Sequence, residues 1–226
     1  MYPQLAHVLA QLEAQADPER AKGMAAYMKH RFSYFGVQAP VRNAIQRSVL
    51  QAHPLPGKLV PWDLVEAMWE HPHREVQYVA IDWLIRFRKQ APEGYLAAYE
   101  TLLIQKAWWD SVDMIASNLM GHELKQDAIL AQNKAWEWMH SDHLWLQRTA
   151  LLFQLKYKHL TDWDLLQALI HHCKGSEEFF LRKAIGWALR EYSKQKPTIV
   201  AAFIAATELS GLSIREGMKW IKKNRS

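Results

Sequence analysis

Residues 106–113, with the sequence KAWWDSVD, contain the side chains best suited to chemistry on a cation. Trp109 and Asp113 are four residues apart, and residues i and i+4 of an α-helix project from the same face. An indole ring attracts a cation through its π-face, and a carboxylate attracts it through its charge. The pair therefore predicts a surface that binds a cation, or a sugar that becomes cationic during a reaction.

The neighbouring stripe of the same segment has the spacing of a buried helix face. It consists of Trp108, Val112, Ile115 and Leu119, which lie four, three and four residues apart. Apolar residues at this spacing form the core-facing side of a helix. The predicted helix therefore buries one stripe and presents the indole and the carboxylate on the next.

The elements that position these residues are predicted to be helices throughout the chain. Segments of about 10–18 residues show helical periodicity, and no alternating β-branched run competes with them. Helix-start signals include Asp17 before Pro18, Asp162, and a capping box that begins at Ser213. The sequence predicts an all-α fold.

A small residue recurs at one position of the pattern, at steps of 33–37 residues once Asp113 is included. The small residues are Ala44, Ala80, Ala150, Ala184 and Gly217. We predict that they mark where the second helix of each hairpin packs closely on its neighbour. A period in the mid-thirties with two helices per unit is typical of an α-solenoid of HEAT-like or armadillo-like hairpin repeats. We predict a single repeat domain over residues 1–226, with N-terminal helices over about 1–55 and about five hairpins from there to 226.

Asp113 is the exception in the small-residue column. An unpaired buried carboxylate is costly, and exceptions to a repeat's own pattern concentrate at functional sites. The alternative is structural, because Asp113 could form an ion pair with a nearby arginine such as Arg148 of the next repeat. The pattern by itself leaves both interpretations open.

Charge is unevenly distributed along the chain. From residue 145 onward there are 14 Lys and Arg against 7 Asp and Glu, whereas residues 1–144 have 14 against 16. A basic half indicates a polyanionic partner, nucleic acid first, although a solvated lysine-rich tail would give the same count. The absence of a secretion signal and of a long apolar run, with a single cysteine, predicts a cytosolic location without a membrane.

Histidine clusters provide little support for a metal site. Residues 71–73 read His-Pro-His and residues 171–173 read His-His-Cys. Adjacent side chains on a helix point about 100° apart, and neither cluster supplies a tetrahedral ligand set. The sequence also lacks a glycine-rich phosphate loop. We therefore expect no metal and no cofactor.

Four segments give the chain a family resemblance. Besides residues 106–113, they are WLQR at 145–148, FQLKYK at 153–158 and AIGWALREY at 184–192. Together they resemble the AlkD family of bacterial DNA alkylation-repair glycosylases, and the likeness runs from residue 24 to the C-terminal helix. It implies a HEAT-like solenoid with a concave duplex-binding face in the bacterial cytosol. It also implies base excision of cationic N3- and N7-alkylpurines, chiefly 3-methyladenine and 7-methylguanine, to leave an abasic site.

The resemblance assigns roles to matching residues. It implies that Asp113 is the catalytic carboxylate, that Trp109 and Trp187 face the sugar, and that Arg148 contacts the DNA backbone. It also implies DNA contacts from Tyr27 and Gln38, where the family pattern is less well kept because alanine occupies position 39.

Further phosphate contacts are expected from Lys156, Arg190 and Lys194, since the last two follow Trp187 by about one and two helical turns. Solvated surface charge is the alternative for each of them. The remaining tryptophans at helical spacing are assigned to packing, namely Trp83, Trp136, Trp138 and Trp220.

Three functions compete at this point. The first is a DNA glycosylase. We expect it to be monofunctional, because no motif in the sequence indicates a buried lysine placed for the Schiff-base chemistry of a lyase. The second is a non-catalytic module that binds distorted or branched DNA, and the third is a protein-interaction scaffold. The retained Asp113, Trp109 and Trp187 favour the first. We expect it to act on duplex DNA as a monomer, without an obligate protein partner.

Overall fold

A computed structural model describes residues 2–92 and 94–224, and every regular element in these ranges is a helix, apart from one isolated bridge between Ser33 and His73. The predicted all-α class is confirmed. Backbone contacts divide the chain into two compact units, residues 1–93 and residues 94–226. Within the described ranges, no helix combines the length and apolar composition of a membrane span.

The first unit contains five α-helices: α1 (Pro3–Ala14), α2 (Pro18–Tyr27), α3 (Ala39–Ala52), α4 (Trp62–Glu70) and α5 (Arg74–Phe87). The second contains α6 (Tyr95–Ile104), α7 (Trp109–Ile115), α8 (Gly121–Leu124), α9 (Ala128–His140), α10 (Leu144–Leu152), α11 (Trp163–Cys173), α12 (Phe179–Ser193), α13 (Pro197–Ala206), α14 (Gly211–Gly217) and α15 (Lys219–Lys223). A π-helical segment, Ala116–Met120, joins α7 to α8, and 3₁₀ turns occur at Pro56–Lys58, Arg88–Gln90, Phe153–Lys156 and Lys158–Leu160.

Helical pairs stack in sequence order within the second unit. Helix α6 packs on α7 and α9 packs on α10. Helix α10 also contacts α7 and α12, and α12 contacts α13 and α14. Trp163 of α11 stacks on Tyr192 of α12 with ring centroids 4.8 Å apart. This order of packing agrees with the predicted helical-repeat architecture.

The first unit is organised around a buried carboxylate at the start of α5. Glu75 is fully buried, and its two oxygens accept hydrogen bonds from the backbone N–H groups of Phe35, Gly36 and Val37. Gly36 has φ +90°, and a Cβ there would overlap the carbonyl oxygen of Asp17. The loop that leads to α3 is therefore fixed by hydrogen bonds to Glu75, and only a side chain with acceptor oxygens can receive them.

Most of the small-residue column packs as predicted. Ala80, Ala150 and Ala184 are at most 1% exposed. A Cβ on Gly217 would lie 3.0 Å from Cδ1 of Ile204, so this position also needs a small residue. Ala44 is exposed, however, and the prediction was wrong there: its column position in α3 is not covered by another helix.

Two of the helix-start predictions are confirmed and one is displaced. The carboxylates of Asp17 and Asp162 cap α2 and α11 by accepting from the N–H groups of Arg20 and Leu165. The capping box placed at Ser213 was wrong, because Ser210 caps α14 and accepts from the Ser213 N–H. The Ser213 hydroxyl instead donates to the carbonyl oxygen of Arg182 at 2.9 Å, which joins α14 to α12.

The predicted core stripe is confirmed. Its four residues, Trp108, Val112, Ile115 and Leu119, are all buried. Trp83 and Trp138 are also buried, whereas Trp136 and Trp220 are only half-buried. The stripe holds α7 against its neighbours and fixes the direction of the adjacent face, which carries Trp109 and Asp113.

Candidate nucleic-acid interface and catalytic site

A bidentate ion pair joins Asp113 of α7 to Arg148 of α10. Nε of Arg148 donates to Oδ1 at 2.7 Å, and Nη2 donates to Oδ2 at 2.8 Å. A guanidinium has donors only, so both carboxyl oxygens act as acceptors and the group is the ionised carboxylate. The structural alternative that the sequence left open, an Asp113–Arg148 pair across two repeats, is therefore present in the molecule.

Arg148 is itself held on its far side. Its Nη1 donates to the carbonyl oxygen of Phe180 at 2.5 Å, at the start of α12. Trp108, Trp145 and Phe180 form an aromatic cluster with ring centroids 4.9–5.4 Å apart. The arginine thereby ties α7, α10 and α12 together. Trp145 belongs to the WLQR segment at residues 145–148, but nothing in the sequence alone identified Phe180 as a partner.

Burial and charge act in opposite directions on Asp113. Its side chain is 11% exposed, against 3% for Arg148. Burial raises the pKa of the Asp113 carboxyl above its ordinary value of 3.8, the hydrogen bonds and charge of Arg148 lower it, and the nearby Asp110 raises it again. The net direction is upward. Asp113 is thus a carboxylate that depends on one arginine to remain charged.

The helix that carries Asp113 changes form immediately after it. The π-helical segment Ala116–Met120 shifts the backbone register, and π-helical bulges occur frequently at functional sites. The Ser117 hydroxyl donates to the carbonyl oxygen of Asp113 at 2.7 Å, and the Asn118 amide donates to that of Met114 at 2.8 Å. These side chains supply hydrogen bonds to carbonyls at the change of register and stabilise it.

The backbone of Phe153 approaches the residue after this π-helical segment, Gly121, so closely that only glycine fits there. A Cβ on Gly121 would overlap the carbonyl oxygen of Phe153, in the 3₁₀ turn that ends at Lys156. Lys156 is exposed and donates from Nζ to Oδ1 of Asn118. The predicted phosphate-contacting lysine is therefore linked through one amide to the helix that presents Asp113.

The two predicted sugar-facing tryptophans are both half-buried. Trp109 is the first residue of α7 and shares a helix face with Asp113. Trp187 lies in the middle of α12, which packs on α10, the helix of Arg148. Neither ring is sealed in the core, so each has a part that a ligand can reach. Contact with a sugar remains a prediction.

The predicted DNA-backbone residues differ in how they are engaged. Arg148 is almost fully buried, and three of its five N–H donors are used within the protein. Arg190 is half-buried with Nη1 3.5 Å from Oε2 of Glu216, and Lys194 is exposed with Nζ 2.6 Å from Oε2 of Glu191. Arg190 and Lys194 are thus better placed to reach a phosphate than Arg148.

Tyr27 and Gln38 meet in the first unit. Both line a cleft of about 360 Å³, together with Arg20, Met24, Tyr34 and others. Both side chains are exposed, Tyr27 at 71%. The structure brings these two residues together, and their contact with DNA remains a prediction.

At least one histidine of each cluster makes an aromatic contact. The ring of His73 stacks on Phe35 with centroids 3.9 Å apart, and the ring of His171 meets Phe203 edge-on at 5.4 Å. Among the residues that the structure describes, no three histidine, cysteine or acidic side chains converge as a metal site would require.

Comparison with known proteins supports the family interpretation. A family model described as DNA alkylation repair enzyme matches residues 8–221. Among solved structures, a predicted DNA alkylation repair enzyme from Enterococcus faecalis is 35% identical, with a TM-score of 0.82 over 92% of this chain and 97% of that one. A comparison with curated proteins found no significant match. The chain belongs to the DNA alkylation repair enzyme family.

Proposed function

We propose that this member of the family is a monofunctional DNA glycosylase of the AlkD type. It would hydrolyse the N-glycosidic bond of cationic N3- and N7-alkylated purines in duplex DNA and leave an abasic site. The observation that carries the proposal is the Asp113–Arg148 pair, which keeps an ionised, slightly exposed carboxylate on the same helix face as a half-buried indole.

Hydrolysis of the N-glycosidic bond of a cationic purine needs little more than such a carboxylate and aromatic face. An alkylated purine already carries positive charge, so it leaves with the electron pair of the glycosidic bond and becomes neutral. The charge then develops on the deoxyribose, in an oxocarbenium-like transition state. A fixed carboxylate stabilises this state more than the ground state, which is the condition for accelerating the reaction. Asp113 would also orient the water that attacks C1′ and accept its proton.

The indole rings would act in the same direction. Each of Trp109 and Trp187 would contribute about 0.5–2 kcal/mol of cation–π attraction to the charged sugar, depending on how far the contact is desolvated. The electrophile is the sugar in every case, so discrimination would rest on the charge and lability of the lesion. A neutral purine would leave too slowly to be excised.

Release of 7-methylguanine from a duplex tests the proposal directly. The wild type should generate abasic sites at the methylated position and none at guanine, and Asp113→Asn should lose this release while it retains affinity for the duplex. Borohydride should trap no covalent protein–DNA adduct, as expected without Schiff-base chemistry. Wild-type release at the uncatalysed rate would reject the glycosylase.

One observation favours a second candidate, a module that binds distorted DNA without cutting it. The Asp113 carboxylate is already satisfied by two hydrogen bonds from Arg148, as a purely structural carboxylate would be. In that case the wild type would bind lesion-containing or branched duplexes more tightly than plain duplex and release no base.

A further inference from the structure

Three cations surround one buried carboxylate at the junction of α12, α14 and α15. Glu216 has a side chain only 5% exposed, and its Oε1 accepts from Nζ of Lys183 at 2.8 Å and from Nζ of Lys219 at 2.6 Å. Nη1 of Arg190 lies 3.5 Å from its other oxygen. Lys183, Arg190 and Lys219 are called the Glu216 cation cluster below.

The cluster lies on the same helix stripe as a predicted site residue. Lys183, Trp187 and Arg190 are at positions i, i+4 and i+7 of α12, so they project from one face with the indole between the two cations. The close packing of α14 fixes this arrangement. A Cβ on Gly186 would lie 2.5 Å from Cβ of Glu216 and 2.9 Å from the carbonyl oxygen of Ser213.

The charge of the cluster is not balanced within the protein. Three cations face one carboxylate, which leaves a surplus of two positive charges. The lysine and arginine side chains are 39%, 30% and 49% exposed for Lys183, Arg190 and Lys219, although the carboxylate between them is buried. Burial raises the pKa of Glu216, but the hydrogen bonds and charges of Lys183 and Lys219 outweigh it and lower the pKa from 4.5 to about 2. The carboxylate therefore stays ionised and holds its partners at neutral pH. The free sides of the cations face solvent.

We propose that the Glu216 cation cluster is a phosphate-binding site that receives the DNA backbone beside Trp187, with Glu216 as its positioning residue. The inference rests on the proposed function for the identity of the anion. Lys183 and Arg190 are seven residues apart, about 10 Å along the helix, which matches the rise of about three nucleotides in one strand. A single strand could therefore contact both cations while its sugar faces the indole.

Salt dependence of duplex binding tests the site. The logarithm of the binding constant falls with the logarithm of salt concentration by about 0.9 for each phosphate contact. Lys183→Gln and Lys219→Gln should each reduce this slope by about 0.9. Between 50 and 200 mM salt, each variant should therefore lose about 3.5-fold less affinity than the wild type. Lys183→Arg, which keeps the charge, should retain the wild-type slope.

A charge-matched control separates a site from general electrostatics. Lys174 immediately follows α11, the other helix of the same repeat, and Lys174→Gln removes one positive charge that does not belong to the cluster. Its slope should equal that of the wild type. Wild-type slopes for Lys183→Gln and Lys219→Gln, or an equal reduction for Lys174→Gln, would overturn the inference. Because undamaged duplex is the ligand, this result is independent of base release, which decides the glycosylase proposal.

Discussion

Asp113 and Glu216 are two buried carboxylates in the second helices of different repeats, and each joins neighbouring helices through cations. They differ in the number and exposure of these cations. Asp113 has one arginine, which is itself buried, and burial raises the pKa of the Asp113 carboxyl. Glu216 has three partly exposed cations, and two of them, Lys183 and Lys219, lower its pKa to about 2 against the opposing effect of burial.

Under the two proposals, this difference separates a reactive carboxylate, Asp113, from a positioning one, Glu216. A buried carboxylate whose pKa is raised gains most from a new positive charge, and a developing oxocarbenium ion would supply it. Glu216 is already oversupplied with positive charge and gains little from another cation. Its cations, in contrast, retain attraction for an anion. In the two proposals, a buried carboxylate would thus favour a cationic transition state directly in one repeat and, through the cations that it holds, a phosphate in another.

The largest expected effect is on the rate of base release. Asp113→Asn should slow single-turnover release of 7-methylguanine by about 10²–10³-fold, because an amide of the same shape provides no negative charge to the transition state. The matched control is Glu123→Gln, which neutralises a half-buried carboxylate of α8 in the same helical run. An equal loss of rate in Glu123→Gln would show that Asp113 has no specific catalytic role.

Arg148→Leu should be the most destabilising change. It leaves the Asp113 carboxylate buried without a partner, at a cost of about 3–5 kcal/mol in the free energy of unfolding by denaturant. The pKa of Asp113 would then rise further, so the folded state would bind a proton more readily than the unfolded state. The difference in the free energy of unfolding between the wild type and Arg148→Leu should therefore be largest at neutral pH and should shrink on acidification. Lys183→Gln leaves Glu216 with two cations and should cost under about 1 kcal/mol; a similar cost for both would contradict the comparison.

Glu216 should instead govern acid stability. Its pKa is lowered from 4.5 to about 2, so its contribution is complete above pH 4.5 and is lost as the pH falls toward 2. The wild type should lose about 2–3 kcal/mol over this range from this group alone. Denaturant titrations at several pH values should show a shallower decline for Glu216→Gln. Identical pH profiles for the two proteins would refute the assignment.

The smallest effects are expected for the tryptophans. Trp109→Ala and Trp187→Ala should each slow base release by about 2–30-fold, equivalent to 0.5–2 kcal/mol of cation–π attraction. Phenylalanine at either position should restore part of the rate, since it keeps an aromatic face. Melting temperatures should change much less than for Trp83→Ala, which empties a fully buried position. A comparable fall in melting temperature would identify the half-buried rings as packing residues.

Helix starts were predicted correctly where the capping hydrogen bond joins residues close together in the sequence. Asp17 and Asp162 cap the helices that they precede, because an N-cap is satisfied by backbone groups two or three residues away. The Ser213 box failed because Ser210 offered the same hydrogen bond three residues earlier. The prediction of close packing was wrong at Ala44, because a small residue is buried only if another helix covers it. The sequence of the helix itself does not determine whether that happens.

The sequence alone determined the helical class, the repeat period, the buried stripe beside Asp113 and the shared face of Trp109 and Asp113. The helical class, the stripe and the shared face follow from the 3.6-residue period of a helix, and the repeat period follows from the recurrence of a small residue at steps of 33–37 residues. Only the tertiary structure decided that Arg148 is committed to Asp113 and Phe180, and that Lys183, Arg190 and Lys219 converge on Glu216. Those partners are 26–35 residues apart or lie on separate helices. Their meeting depends on how the repeats stack, which sequence spacing does not encode.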